Sequence, residues 1–360
     1  MKHNKFDYTI KKTSVLLKPY FFERPSISDI SIRILILLGL QILLLFFSKS
    51  YNALGVIFAS ILGAVIAGLI NYFIKKKQPF TILSIIIQGI FIGMLLPERF
   101  PVITVFFISL IVLSIEKYIF SDCVTTWINF VCVAVVIAWF IGKQFFPDIL
   151  VTTDMLSVKN PSALLSKSGM IQISNLDTRI TNVLNSTILY WFKVTLPEGI
   201  ISLLFDTHSI IPAFRFNLLT IIASVILFSD GAFSGLIPGL FLFVYALLVR
   251  LFFPMFFGGA FNQGDVLLAL CTSGTLFCAV FLLQWFGTHP VSIIGKVIFG
   301  ILSGVIAFFV VGCSTSPVGM IFTIIICNIM NLVIRIFEEK IYIAKIERNV
   351  AENLNRAEEE

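Results

Sequence analysis

Charge is what this chain has little of. Only 13% of its 360 residues are Asp, Glu, Lys or Arg, against 58% hydrophobic residues, and its mean hydropathy is +0.99. So little polar surface cannot clothe a water-soluble body of this length, which excludes an assembly of soluble domains. Lipid must serve as solvent, and there every backbone polar group needs an internal partner, leaving helices or a closed barrel. The apolar runs are continuous rather than alternating, and exceed the ~10 residues of a barrel strand. The fold class is all-α, a polytopic membrane protein.

Other absences narrow the chemistry. The six cysteines, Cys123, Cys132, Cys271, Cys278, Cys313 and Cys327, form no C-x-x-C pair, and most lie in apolar runs where cysteine acts as a small hydrophobe. Cys271 and Cys278, two helical turns apart on one face, are the one pair for which shared ligation is conceivable. The three histidines, His3, His208 and His289, do not cluster, so no metal site is expected. Walker, dinucleotide-binding and H-E-x-x-H motifs are missing, which excludes the usual ATP-driven pump and the membrane zinc protease. A net charge of +6 without an aromatic-basic groove module describes loops beside an anionic leaflet, not nucleic-acid binding. No residue is singled out as catalytic.

What is present is a series of about ten segments long enough, or nearly so, to cross the ~30 Å hydrocarbon layer. They run from Ile34 to Ser48, Ala53 to Ile74, Phe80 to Leu96, Val102 to Ile119, Thr125 to Phe145, Ile210 to Phe228, Phe233 to Phe253, Val266 to Phe286, Ile293 to Gly312 and Val318 to Phe337. The first 33 residues hold Lys2, Lys5, Lys11, Lys12, Lys18, Arg24 and Arg33 with acids interspersed. They have no apolar core ahead of a cleavage site and read as a cytoplasmic tail. Most of the 26 basic residues fall on the same side as that tail, so both termini are expected inside. The organisation is then a tail (1–33), a five-helix repeat (34–146), an extracytoplasmic loop (147–209), a second repeat (210–337) and a charged cytoplasmic tail (338–360). Five spans precede the loop, so the two repeats enter the bilayer in opposite senses.

A weak internal echo accompanies that inversion. Gln88-Gly89 with Gly93, and Ser273-Gly274 with Cys278, each place a polar–glycine pair ahead of a small or slender residue four positions on, and both segments end before prolines. Interrupted helices in matching positions mark midplane sites in such folds, whereas small residues alone serve close helix packing. Ionisable residues near or within spans are functional candidates by default. They are Glu116, Lys117, Arg250, Asp230 and Asp265. Glu116 and Lys117 are expected at the inner interface, and Arg250 is expected to snorkel. Asp265, opening the eighth span, is the best placed for ion or cofactor work. The loop also holds Asn185-Ser186-Thr187, formally a glycosylation sequon, accidental in a bacterial host.

The order and spacing of certain residues resemble a known family. These are Gly264-Asp265, Ser273-Gly274, Thr288-His289-Pro290-Val291-Ser292, Gly295-Lys296 with Gly300, and Pro317, Gly319, Phe322 and Asn328, together with Leu96-Pro97, Pro101 and Gly142-Lys143. The chain resembles the D subunit of the Rnf ion-translocating electron-transport complex, in a family shared with the B subunit of the sodium-pumping NADH:quinone reductase. The resemblance implies a ten-helix, two-repeat membrane subunit coupling flavin-mediated electron transfer to Na⁺ or H⁺ translocation. It implies a bacterial inner-membrane setting and other membrane and iron–sulfur or flavin subunits as partners. It further implies FMN joined through phosphate to a loop threonine, here Thr187, and riboflavin as a further cofactor. Asp265, Ser273, Gly274 and Thr288 fall in the second-half cofactor or ion region. The copy is divergent. The motif around the acceptor reads Thr181-Asn182-Val183-Leu184-Asn185-Ser186-Thr187, lacking the aspartate, first hydroxyl, glycine and alanine. The Asn-x-Phe-Asn-Pro-Ala run keeps only Asn129, His289 stands where an aspartate is usual, and Arg335 replaces an acid. A non-redox inverted-repeat transporter or channel, and a scaffold subunit without flavin, are the alternative readings.

Overall fold

The computed structural model describes residues 26–75, 82–120, 126–147, 175–193, 195–196, 198–229, 231, 233–257, 259–312 and 316–359. Among them there are helices and no strand. The first half comprises α1 (Ile27–Phe47), α2 (Tyr51–Lys75), α3 (Ile82–Leu95), α4 (Val102–Phe120) and α5 (Phe130–Gly142), the last closed by a 3₁₀ turn at Lys143–Phe145. The connecting segment contributes α6 (Asn175–Thr187), α7 (Leu189–Phe192) and α8 (Ile200–Phe205). The second half begins with α9 (Asn217–Ser229) and α10 (Leu236–Phe252). A helix in pieces follows, α11 (Val266–Cys271), α12 (Thr275–Phe277) and a π turn at Cys278–Leu282, and then α13 (Ile293–Val310) and α14 (Gly319–Glu359).

Six helices are long and apolar enough to cross a membrane, and Ile82–Leu95, Phe130–Phe145 and Asn217–Ser229 are shorter apolar ones. With the piecewise helix they account for all ten expected segments. Their outward faces carry large bare hydrophobics, such as Phe73, Ile103, Phe140, Phe243 and Phe309, an apolar surface that only lipid satisfies. Local chemistry explains the starts. Ser26 and Asp29 form a reciprocal capping box on α1, and Asn129, Asp265 and Ser292 cap α5, α11 and α13 through their side chains.

Both halves share one packing plan. The second helix lies along the fourth, α2 on α4 and α10 on α13, and the fourth lies on the fifth, α4 on α5 and α13 on α14. Glycines allow the closest approaches. A β-carbon on Gly63 would sit 2.0 Å from Ser109 Oγ on α4, and one on Gly300 would sit 2.9 Å from Leu240 Cβ on α10. The halves also share a core. Phe91 of α3 packs its ring against Phe277, Phe281 and Trp285, with centroids 5.9, 5.8 and 5.5 Å away. Gln41 Nε2 donates to Thr220 Oγ1 at 3.2 Å, and Arg215 Nη1 to Ser50 Oγ at 2.6 Å, adding polar ties between them.

The structure changes several sequence expectations. The sixth span, expected from Ile210, becomes helical only at Asn217, because Ile211–Phe216 turn through a buried 3₁₀ segment at Pro212–Phe214. α14 continues unbroken through the charged end of the chain to Glu359. The 147–209 segment, read as a loop, contains three helices among its described residues and sends Ile201, Ser202 and Leu203 into the interior. Asp230, one of the candidate ionisable groups, lies outside the described residues. The echo between the halves also resolves unequally. α3 is continuous, and its glycines serve packing: a β-carbon on Gly93 would meet the Ile57 backbone at 2.5 Å, and Gly89 accepts a 2.7 Å hydrogen bond from Ser60 through its carbonyl.

Gly93→Ala should therefore destabilise the protein by about 1–3 kcal/mol, because α2 must move away as a rigid backbone. Gly39→Ala, where an added β-carbon meets nothing within 4 Å, should be neutral or slightly stabilising. Thermal unfolding in one detergent would compare the two.

Candidate functional site

Asp265, Ser273 and Gly274, singled out from sequence, belong to one feature, a helix interrupted within the bundle. Asp265 opens it, with a carboxylate oxygen accepting from Leu268 N at 3.0 Å, and it is almost fully buried. The helix then breaks at Thr272–Gly274. Gly274 adopts φ +67, a conformation that favours glycine, and a β-carbon there would lie 2.0 Å from the Phe214 ring. Only glycine fits both constraints. At the next residue, Thr275, the chain becomes helical again and then widens into the π turn, a form that recurs at functional sites.

A broken helix in lipid must rehouse its freed carbonyls. Here the rehousing is traceable. Thr272 Oγ1 donates to Leu268 O at 2.7 Å, and Ser273 Oγ and Thr275 Oγ1 reach Ala269 O at 2.8 and 3.3 Å. Asn217 Nδ2 donates to both Cys271 O, at 2.9 Å, and Leu203 O, at 2.8 Å. Asn217, which sequence reasoning passed over, thus clamps the break to α8 of the connecting segment. Thr288, also fully buried, donates to Trp285 O at 2.8 Å, after the end of the interrupted helix. Ser273 and Gly274 therefore form the break, Asp265 caps the helix that leads into it, and Thr288 sits at the other end of the segment. Opposite the π turn, Asn129 caps α5 and extends Nδ2 to Leu282 O at 3.4 Å. The one asparagine kept from the first-half run thus bridges to the second half.

One further expectation fails at this level. Cys271 and Cys278 do not share a helical face, because the break and the π turn intervene; Cys271 packs with Leu203 and Leu276, Cys278 in the main core. No metal-holding group of His, Cys, Asp and Glu occurs among the described residues. Glu116 and Lys117, in the last turn of α4, are buried within the bundle at 2% and 7% exposure. Gln88 Nε2 donates to both Glu116 oxygens, at 2.9 and 3.0 Å. The signal was the Gln88-Gly89 pair itself, whose glycine faces α2 and whose glutamine meets this acid. Arg250 is exposed as expected, but its guanidinium is bound to Asn262 Oδ1 and Gly264 O, each at 3.0 Å.

The connecting segment holds the other candidate. Thr187 ends α6 with an exposed hydroxyl that donates to Val183 O at 2.6 Å. Val183, Ile188, Tyr190 and Trp191 are exposed around it. The helix beneath is firmly seated. Asp177, fully buried, accepts from Ser202 N and Oγ at 2.7 Å each, from Gly199 N at 3.1 Å and from Thr181 Oγ1 at 2.9 Å. Burial alone would raise this carboxyl, but the hydrogen bonds from Ser202, Thr181 and Gly199 outweigh it and hold it below the usual 3.8. Asn185 uses its whole amide on Leu196, accepting from N at 2.8 Å and donating to O at 3.0 Å. Thr181 and Asn185, two of the departures from the family motif, are thus staples of this fold, and the sequon nitrogen is engaged.

With this geometry in view, the comparison with known proteins is decisive on one point. The model of the NQR2, RnfD, RnfE family matches residues 14–343, nearly the whole chain. The chain belongs to the NQR2, RnfD, RnfE family. It is a multi-pass membrane subunit of the Rnf- and Nqr-type complexes to which that family contributes. No curated individual protein matches the chain significantly.

Asn217→Leu should cost about 2–4 kcal/mol, since it orphans the Cys271 and Leu203 carbonyls inside the bundle; thermal unfolding would register it. The Asp177 network carries a pH dependence of definite sign. A depressed carboxyl stabilises the fold above its unfolded value and loses that contribution as pH falls through the folded one. Limited proteolysis between residues 175 and 205 should accelerate below about pH 3.8, and Asp177→Ala should show that susceptibility already at pH 7.

Proposed function

We propose that this subunit carries flavin on its connecting segment and takes part in electron transfer coupled to Na⁺ or H⁺ movement across a bacterial inner membrane. The observation supporting it is the surface position of Thr187. An acceptor hydroxyl must be reachable by a flavin transferase, and Thr187 is exposed on a helix end whose underside is pinned by Asp177 and Asn185. The residues present fit a phosphate-linked FMN in that respect. When bound, the flavin supplies the electron-carrying chemistry, and the protein supplies position and surroundings. Thr187 provides the attachment oxygen. Tyr190 and Trp191 offer exposed ring faces within a turn of it, and Lys193, in a left-handed conformation at the end of α7, offers a cation.

The second half supports a narrower role. Ser273, Gly274 and Asp265 are packed tightly, with the Phe214 ring filling the space over Gly274. They shape the broken helix that supports α8, rather than lining an open flavin cavity. In this reading Asp265 and Thr288 are positioning groups for the ion-coupling half. Partners are the other membrane and iron–sulfur or flavin subunits of the same complex, and both termini face the cytoplasm.

Co-expression with a flavin transferase, followed by denaturing electrophoresis, should reveal a fluorescent flavin band. The band should vanish in Thr187→Ala and persist in Ser186→Ala. Its absence from the native chain would favour the non-redox transporter or the scaffold. Thiol labelling of Ser186→Cys should mark the extracytoplasmic face, and labelling from the cytoplasm would overturn the orientation.

A further inference from the structure

Among the described residues seven buried side-chain nitrogen or oxygen atoms lack a hydrogen-bond partner, and six of them belong to Gln284, Asn328, Asn331 and Arg335. Asn328 and Asn331 are 1% and 0% exposed, and all four of their amide atoms are unpartnered. Buried polar groups in native proteins are almost always hydrogen-bonded, to protein or to ordered water. Two wholly unsatisfied amides one helical turn apart, inside a membrane span, therefore need a guest.

The topology sets these groups side by side. Residues 328, 331 and 335 fall on one face of α14 by helical spacing. Arg335 Nη2 donates to Gly287 O at 2.6 Å and to His289 O at 2.9 Å, which fixes α14 against the end of the interrupted helix. α13 runs back from that end, and α14 returns along it, so the interrupted helix and α14 run in the same sense. Gln284 lies one turn before Gly287 and Asn331 one turn before Arg335. Both amides therefore lie on the approach to the Arg335 contact, one on each segment.

The chemistry of the unpartnered atoms selects the guest. An anion would satisfy the amide nitrogens of Gln284, Asn328 and Asn331 and the Arg335 Nε–H, but would leave both asparagine oxygens bare. A sodium ion would satisfy those oxygens only, beside the fixed positive charge of Arg335. Only a molecule that donates and accepts through the same small body serves every atom. We propose that a file of ordered water molecules occupies the seam between α14 and the interrupted helix, seated on Asn328, Asn331 and Gln284 and bounded at one end by Arg335. The seam is a hydrated track within the span, and its guanidinium end opposes the entry of cations. This inference stands apart from flavin attachment at Thr187.

Cysteines already in the chain make the test internal. Cys327 shares the face of Asn331, one turn away, and is buried; Cys132 and Cys278 are equally buried in the aromatic and aliphatic core. Brief X-ray radiolysis of the full chain in nanodiscs, in water enriched in oxygen-18, generates hydroxyl radicals from bound water beside the residues it touches. Cys327 should acquire labelled oxygen at least about fivefold faster than Cys132 or Cys278, since a buried thiol reacts at that rate only beside ordered water. The double variant Asn328→Leu with Asn331→Leu should bring Cys327 down to the rate of the other two. Equal labelling of the three cysteines in the native chain would mean a dry seam and overturn the proposal, whether or not the variant folds. Undiminished Cys327 labelling in a folded variant would overturn the assigned seat.

Discussion

Inside a bilayer a backbone carbonyl has no water to fall back on, and most of this structure follows from that single requirement. Continuous helices meet it without help. The interrupted helix of the second half does not, and its surroundings are built around the deficit. Thr272, Ser273 and Thr275 turn their hydroxyls back onto Leu268 and Ala269, and Asn217 reaches in from α9 to hold Cys271. The same asparagine holds Leu203, so the repair of the break also docks the extramembrane segment. A local hydrogen-bonding debt thereby becomes a long-range tether between the buried break and the helices that present Thr187.

The seating of that segment changes how its divergence is understood. Against the family motif, Thr181 and Asn185 look like losses. In the fold, Thr181 completes the Asp177 network and Asn185 closes a two-bond clamp on Leu196. Thr181 stands in place of the motif's aspartate and Asn185 in place of its glycine, both fasten the helix, and the hydroxyl at its end is kept. The charge exchange near the interrupted helix is similarly self-consistent. Arg335 finds its partners in the carbonyls of Gly287 and His289, while Glu338 caps α13 through Ser292. Burial, with Lys296 and Arg335 nearby, keeps His289 below its ordinary value, against the Pro290 carbonyl and Glu338.

Much of the architecture was legible in the sequence because it rests on length and hydropathy alone. Among the described residues the ten apolar runs correspond to six helices long enough to span, three shorter apolar helices and one helix in pieces. What sequence could not show depends on residues far apart in the chain. α9 begins only at Asn217, after the 3₁₀ segment whose Phe214 lies over Gly274. Glu116 is met by Gln88, which lies on another helix. Gly89 and Gly274 occupy matching places in the echo, yet one packs a continuous helix and the other permits a break. The difference lies in their neighbours, Ile61 and Phe214, which no local window contains. Asn328 appeared only as a marker of resemblance, and Asn331 not at all. Their meaning comes from burial without partners.

The last helix has a mechanical consequence. α14 is one uninterrupted stretch of 41 residues, about 60 Å long at 1.5 Å per residue, so roughly half its length extends past the ~30 Å hydrocarbon layer. A rod of that kind cannot absorb a tilt at its embedded end by bending at a joint. A pivot of roughly 5° about the Arg335 contact would swing the far tip by about 3 Å over the ~35 Å beyond it. Rearrangement at the turn gripped by Arg335 is thus broadcast outward as lateral displacement, with the protruding stem acting as a pointer for whatever touches it.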